Sequence, residues 1–137
     1  EGWDVNGVLN FSFMFDDTTR FNSPLSDWDL FSATNIEKMF RNTVGFDEDL
    51  SWYVSVVTDF SEVFAGSESF NQDISLWDLS SATTVKAMFK DSEEFNQDLS
   101  SWDVGTVLDF SEMFAGAEKF NTSLNSWDVR SSTTLEA

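Results

Sequence analysis

Tryptophan recurs along this chain at nearly constant intervals. The six tryptophans stand at positions 3, 28, 52, 77, 102 and 127, so the intervals are 25, 24, 25, 25 and 25 residues. A fixed period of this length is typical of repeat architectures, in which each unit buries its apolar face against its neighbours. The sequence therefore predicts a single domain over residues 1–137, built from about six stacked units that start near the tryptophans.

Alignment on the tryptophans places apolar residues in fixed columns. Eight residues after each tryptophan stand Phe11, Ile36, Phe60, Val85, Phe110 and Leu135. Further columns hold a Met-Phe or Val-Phe pair and a second Phe, and one residue is missing from the repeat between Leu50 and Trp52. These columns predict a continuous apolar core, with the tryptophans inside it rather than exposed for sugar stacking.

Two segments of each unit have different apolar spacings. In Ile74–Leu79 the apolar residues Ile74, Trp77 and Leu79 follow the LxxLxL spacing of a leucine-rich repeat, which predicts a short parallel strand. In the next segment Val85, Met88 and Phe89 are spaced by three and four residues, which predicts a short helix or 3₁₀ turn. The predicted fold is thus a leucine-rich-repeat-like solenoid, with one short strand and one short helix or 3₁₀ turn per unit of about 25 residues.

Composition excludes several functional classes. The net charge is −18 with only seven basic residues, which disfavours nucleic acid and anionic membranes and favours cations or a basic partner. The chain lacks His, the commonest general base, and Cys, and no stretch is long and apolar enough to span a membrane. Because every conspicuous polar residue belongs to a repeated column, we expect no catalytic site and no enzymatic activity.

Two polar columns are candidate sites. An Asn column predicts a structural ladder that bonds the backbone of neighbouring units, with a ligand site as the alternative; it comprises Asn22, Asn71, Asn96 and Asn121, with Asp47 in the remaining unit. An Asp column follows the tryptophans and, with Asp49, Asp73 and Asp98 before the predicted strand, could bind Ca²⁺ or cap turns; its Ca²⁺ candidates are Asp29, Asp78, Asp103 and Asp128. No other cofactor is expected.

Departures from the repeat mark a candidate interface. Phe31, Tyr53 and Leu76 occupy expected water-facing positions where other units have Ser, Asp or Gly, and Phe13 is a similar outlier on the opposite side. Clustered exposed apolar residues favour a binding surface, although scattered ones are normal. Asn10 and Asn121 also begin glycan acceptor triplets.

The repeat resembles a known family of surface repeats. FNQDISLWDL, FNQDLSSWDV and DFSEMFAGA resemble the 25–26-residue repeat of bacterial and mycoplasmal surface lipoproteins, which is similar in turn to BspA-type leucine-rich repeats. The resemblance covers essentially the whole chain and implies a cell-surface or extracellular, non-enzymatic role. Tyr53, Asp47 and Ser23-Pro24 depart from the motif.

Taken with the resemblance, the repeat pattern predicts a structural or adhesive protein. Neither end carries a polar capping unit, so we expect part of a longer chain or assembly that self-associates through its ends or faces, plausibly into filaments. The expected partners are further copies or another surface protein. The alternative is a receptor-like surface module that binds a protein or glycan through the predicted strand face.

Overall fold

The computed structural model describes residues 3–134. The chain winds into a stack of coils, one repeat to a coil, and no residue in this range lies in an α-helix or an extended strand. Single parallel bridges join consecutive coils in one row, which runs through Asn10, Asn35, Asp59, Thr84, Asp109 and Thr134. Since these residues are 24 or 25 positions apart, the register between coils equals the sequence repeat.

Each of the first five coils continues from its bridge into three overlapping β-turns, here called the turn segment. The five turn segments span residues 11–18, 36–43, 60–67, 85–92 and 110–117. In the second coil the amides of Met39, Arg41 and Thr43 close the three turns, with N···O distances of 3.1, 3.2 and 3.1 Å to the carbonyls three residues back. Every second amide of the segment is satisfied locally in this way.

The remaining amides of the turn segment join one coil to the next. The amides of Lys38, Phe40 and Asn42 donate to carbonyls of the third coil at 2.9, 2.9 and 2.7 Å. In an α-helix each of these amides would instead donate to the carbonyl four residues back. The alternation of local and intercoil bonds therefore replaces the helix.

The predicted strand-plus-helix, leucine-rich-repeat-like solenoid is wrong. In the segment expected to be helical, Ala87 and Asp91 have φ values of 49° and 55°, which a right-handed helix does not allow. In the segment expected to be a strand, the amide of Trp77 donates to Ile74 at 3.0 Å and closes a β-turn. The apolar spacing matched both elements because consecutive turns also place side chains on one face at intervals of three and four residues.

Aromatic columns fill the interior of the stack. Phe40, Phe64 and Phe89 follow one another through consecutive coils with ring centroids 5.6 and 5.7 Å apart. A second phenylalanine column packs beside the first, as Phe64 and Phe70 show with centroids 4.0 Å apart. Full burial of each such ring stabilises the fold by roughly 1.5–3 kcal/mol. Leu135, expected in this core, lies outside the described residues.

Polar groups inside the stack are paired with the backbone. The indole nitrogens of Trp52, Trp77 and Trp102 are buried and donate to carbonyls of the preceding coil at 3.0, 2.8 and 3.0 Å. The buried hydroxyls of Ser67 and Ser92 each donate at 2.6 Å to a phenylalanine carbonyl of the coil before. Within residues 3–134 no buried side-chain nitrogen or oxygen lacks a hydrogen-bond partner. The tryptophan column is thus buried in the third to fifth coils, and Trp28 and Trp127 pack against the core as partly buried residues.

Candidate functional site

The Asn column forms a ladder along the stack. Each side-chain Oδ1 accepts the amide of the equivalent residue in the next coil at 2.9 Å, and this repeats for the pairs Asn22–Asp47, Asp47–Asn71, Asn71–Asn96 and Asn96–Asn121. The carboxylate of Asp47 therefore takes the same place as the Asn side chains. These side chains hold the backbone of consecutive coils together, and the side-chain oxygens of Asn22, Asp47, Asn71 and Asn96 are engaged in the ladder.

The Asp column that follows the tryptophans caps turns. The carboxylates of Asp29, Asp78 and Asp103 accept the amide two residues ahead at 2.8, 3.0 and 3.1 Å, which is the geometry of an Asx turn. Asp128 accepts from Arg130 in the same way, at 3.2 Å from the amide, and also pairs with the guanidinium. Each carboxylate of the column thus bonds within its own coil.

The capping bonds of Asp78 and Asp128 favour the ionised forms of these two carboxylates. The hydroxyl and amide of Ser80 hold the pKa of Asp78 below its ordinary value, and the side chain of Arg130 lowers the pKa of Asp128 to about 2. In the described range no group of three or more acidic side chains is placed to hold a metal ion. The geometry therefore gives the Ca²⁺ hypothesis for Asp29, Asp78, Asp103 and Asp128 no support, and a Ca²⁺ titration still has to test it.

Ion pairs connect the turn segments of neighbouring coils. The Arg41 guanidinium pairs with Asp16 of the first coil at 2.7 Å and lies 3.5 Å from Glu62 of the third coil. The ammonium of Lys38 lies 3.5 Å from the same Glu62 and 5.1 Å from the ring centroid of Phe13. Phe13, predicted as an interface residue, is therefore already covered in part by a cation of its own chain.

The other three apolar departures from the repeat are exposed, and two of them share one cleft. The exposed fractions of Phe31, Tyr53 and Leu76 are 64%, 75% and 94%. Tyr53 and Leu76 line the same cleft, of about 440 Å³, whereas Phe31 does not line it. The structure thus brings two of the three predicted residues together.

The cleft lies at the missing residue of the repeat. In other coils the turn before the tryptophan spans four residues, as in Ile74–Trp77, but the amide of Trp52 donates to Leu50, only two residues back, at 2.7 Å. This tighter turn leaves Ser51 alone where the next coil has Ser75 and Leu76. The stacked indoles of Trp52 and Trp77, with centroids 6.3 Å apart, lie among the buried residues that line the cleft.

Acidic side chains flank the same cleft. Asp49 and Asp73 both line it, and Asp49 accepts the hydroxyl of Ser51 at 2.8 Å. Asp73 accepts the amide of Ser75 at 2.9 Å, and this bond holds the pKa of Asp73 below its ordinary value. The cleft thus combines an exposed apolar pair, Tyr53 and Leu76, with two carboxylates.

The two glycan acceptor candidates take part in the fold. The side-chain oxygen of Asn10 accepts the amide of Ser12 at 2.8 Å and begins the first turn segment, while the amide of Asn121 donates to the ladder. Both residues are exposed. Nothing in their geometry distinguishes a glycosylation site from an ordinary turn residue.

One column that shapes the stack was not used in the sequence interpretation. Asp17, Asn42, Gly66, Asp91 and Gly116 recur fourteen residues after the tryptophans, and each has a positive φ. Gly, Asn and Asp are the residues that enter the left-handed region most readily. This column could have indicated a turn at a position where a helix was predicted.

Comparison with models of protein families identifies the family to which the chain belongs. The family model described as Mycoplasma protein of unknown function, DUF285, matches residues 1–56 and 50–137. The chain belongs to the DUF285 family. The mycoplasmal family expected from the repeat is thus shown, whereas the similarity to BspA-type leucine-rich repeats is not. Searches of curated proteins and of solved structures returned no match. Over the described residues of this DUF285 chain, no helix has the length and apolar character needed to cross a membrane.

Proposed function

We propose that this DUF285 chain is a non-enzymatic structural or adhesive module of the cell surface, which associates with further copies through the ends and faces of its coil stack. The observation that carries the proposal is that the repeated polar residues form hydrogen bonds that stabilise the coil stack. The Asn ladder and the intercoil backbone bonds hold one coil to the next, and the Asx turns brace each coil from within. Surface location rests on the resemblance of the repeat to that of surface lipoproteins, and labelling of intact cells tests it.

The first described coil presents a face on which another coil fits. Val8 is 38% exposed there, whereas the equivalent Val57 and Val107 are fully buried in inner coils. Trp3 and Leu9 are also exposed, and the carbonyls of Ser12 and Met14 accept no hydrogen bond from the residues described. A coil with the same pattern would cover these groups, whichever polypeptide supplies it.

Light scattering and negative-stain imaging test association directly. We expect the wild-type chain to form concentration-dependent oligomers or filaments, and Leu9→Thr to weaken them. The substitution introduces the residue found at the equivalent Thr34, Thr58 and Thr83, so it removes exposed apolar surface without a foreign side chain. Leu108→Thr, the same substitution at the same column of the fifth coil, is the matched control, because Leu108 is exposed as well. A wild-type chain that stays monomeric at high concentration would contradict the proposal.

A second function, a receptor-like surface module, is favoured by the cleft at Tyr53 and Leu76. Those two side chains depart from the repeat and line one recess, which a purely structural module does not require. Replacement of both by Ser should abolish ligand binding while the chain stays folded. Binding of a cell-surface protein or glycan that is unaffected by the double variant would argue against this role.

A further inference from the structure

Three separate departures from the repeat meet at one place. The first is the residue missing before Trp52. The second is Tyr53, which stands where each of the five remaining tryptophans is followed by Asp. The third is Leu76, which stands where Ser is found at positions 51, 101 and 126. Any one of them alone would be an ordinary departure from a surface repeat. Their convergence on a single cleft points to a binding surface rather than to drift along the stack.

The chemistry of the cleft selects its occupant. Tyr53 and Leu76 offer apolar contact area at the rim, and the paired indoles of Trp52 and Trp77 lie buried beneath them. Apolar anchors of this kind, led by an aromatic ring, are characteristic of sites where protein segments bind.

The charge of the cleft is negative and uncompensated. The ion pairs of the described residues involve other carboxylates, and none reaches Asp49 or Asp73. The hydroxyl of Ser51 already donates to Asp49. An ionised carboxylate accepts hydrogen bonds and donates none. An occupant must therefore supply donors and positive charge, and the net charge of −18 steers a basic partner towards the surface.

We propose that this cleft binds a segment of a partner protein that carries Lys or Arg beside an apolar side chain. The apolar side chain lies between Tyr53 and Leu76, and the cation bonds to Asp49 and Asp73. The inference rests on the receptor-like role and not on self-association. It excludes a neutral glycan as the ligand of this cleft.

Titration with short peptides, followed by amide and methyl NMR shifts and by calorimetry, tests the proposal. The probe is a heptapeptide of alternating Lys and Leu, with matched heptapeptides of Lys and Ser and of Glu and Leu, and with a neutral β-linked glucose hexamer. We expect only the Lys–Leu peptide to shift Tyr53 and Leu76, with binding that weakens as salt rises.

Variants drawn from the repeat itself separate the contributions. Leu76→Ser should weaken Lys–Leu binding about tenfold, as expected when one buried apolar side chain is lost. Tyr53→Asp should also weaken it, although it adds a negative charge, so a tighter complex would show that charge alone drives binding and would overturn the proposal. Asp73→Asn keeps the turn acceptor and should weaken binding, while Phe31→Ser should not.

The remaining outcomes are also decisive. Equal binding of the Lys–Ser peptide, or no loss in any cleft variant, overturns the proposal. Binding of the glucose hexamer at Tyr53 and Leu76 without binding of the Lys–Leu peptide overturns the basic partner but leaves the receptor-like role standing. If none of the probes binds at the cleft, the inference is refuted. Light scattering on the same samples measures self-association independently.

Discussion

Glycine at position 66 is required both by backbone conformation and by contact with the preceding coil. Its φ is +69°, and a Cβ added there would lie 2.3 Å from Oδ1 of Asn42. Alanine in the left-handed region costs about 1–2 kcal/mol. Moving the Asn42 side chain away also breaks its bond to Asp17, at 2.6 Å, which is worth about 0.5–1.5 kcal/mol. We therefore expect Gly66→Ala to lower the free energy of unfolding by roughly 1.5–3.5 kcal/mol, with both terms summed.

Gly7 supplies the matched control. Its φ is +75°, but an added Cβ meets nothing within 4 Å, so Gly7→Ala should cost only the conformational term. Urea unfolding followed by tryptophan fluorescence measures both variants. In an Asn42→Gly background the clash is absent, and the cost of Gly66→Ala should fall to that of Gly7→Ala. Equal costs for the two alanine variants in the wild-type background would refute the proposed packing of Asn42 against Gly66.

Three further predictions concern the polar columns. Trp77→Phe removes the buried indole donor, leaves the amide of Trp52 as the donor to the carbonyl of Leu50, and should destabilise the chain by about 0.5–1.5 kcal/mol in urea unfolding, with a near-neutral result contradicting the indole bond. Asn71→Ala removes the acceptor for the amide of Asn96 and should cost about 0.5–1.5 kcal/mol, whereas Asn71→Asp keeps it and should cost less. Because the folded pKa of Asp78 lies below its ordinary value of 3.8, its ionised form contributes stability above about pH 4 that is lost as the pH falls through the folded pKa. Asp78→Asn should thus be less stable than wild type at pH 6 and equal to it once the pH lies below the folded pKa, and a constant difference across the titration would rule out the linkage.

The sequence predicted the columns better than the backbone that carries them. The tryptophan period gives the register between coils, because residues one repeat apart are bridged in the structure, as Asn35 and Asp59 are. The apolar column of Ile36, Phe60 and Val85 is buried throughout, as its repetition indicates. Such predictions succeed because each coil of a stack packs against its neighbouring coils, so that an apolar residue repeated in every coil meets its counterparts.

Local structure was mispredicted because apolar periodicity does not specify backbone bonding. Val85, Met88 and Phe89 have helical spacing, yet the amides of Ala87 and Phe89 donate to the next coil at 2.8 and 2.9 Å. Intercoil bonding of this kind overrides local helix propensity. In the sequence, the column of Asp, Asn and Gly residues at positive φ is the signal that indicates turns in place of a helix.

The sequence identified two residues of the candidate site but not the recess that they line. Tyr53 and Leu76 stand out as apolar residues in polar columns, and the structure places both at one cleft. Phe31 stands out equally, but it lies elsewhere, and the sequence offers no means to separate it from the pair. The recess lies where the missing residue tightens the turn at Ser51. The sequence shows that a residue is missing, but it does not show how the backbone closes around the gap.

Scalar coupling across hydrogen bonds in the turn segment tests the coil stack most directly. Through-bond NMR between amide nitrogens and carbonyl carbons identifies the acceptor of each amide. The structure predicts a coupling from the amide of Phe40 to the carbonyl of Val63, and from Phe64 to Met88. Coupling of Phe40 to the carbonyl of Ile36, four residues back, would show a helix and contradict the stack of intercoil bonds.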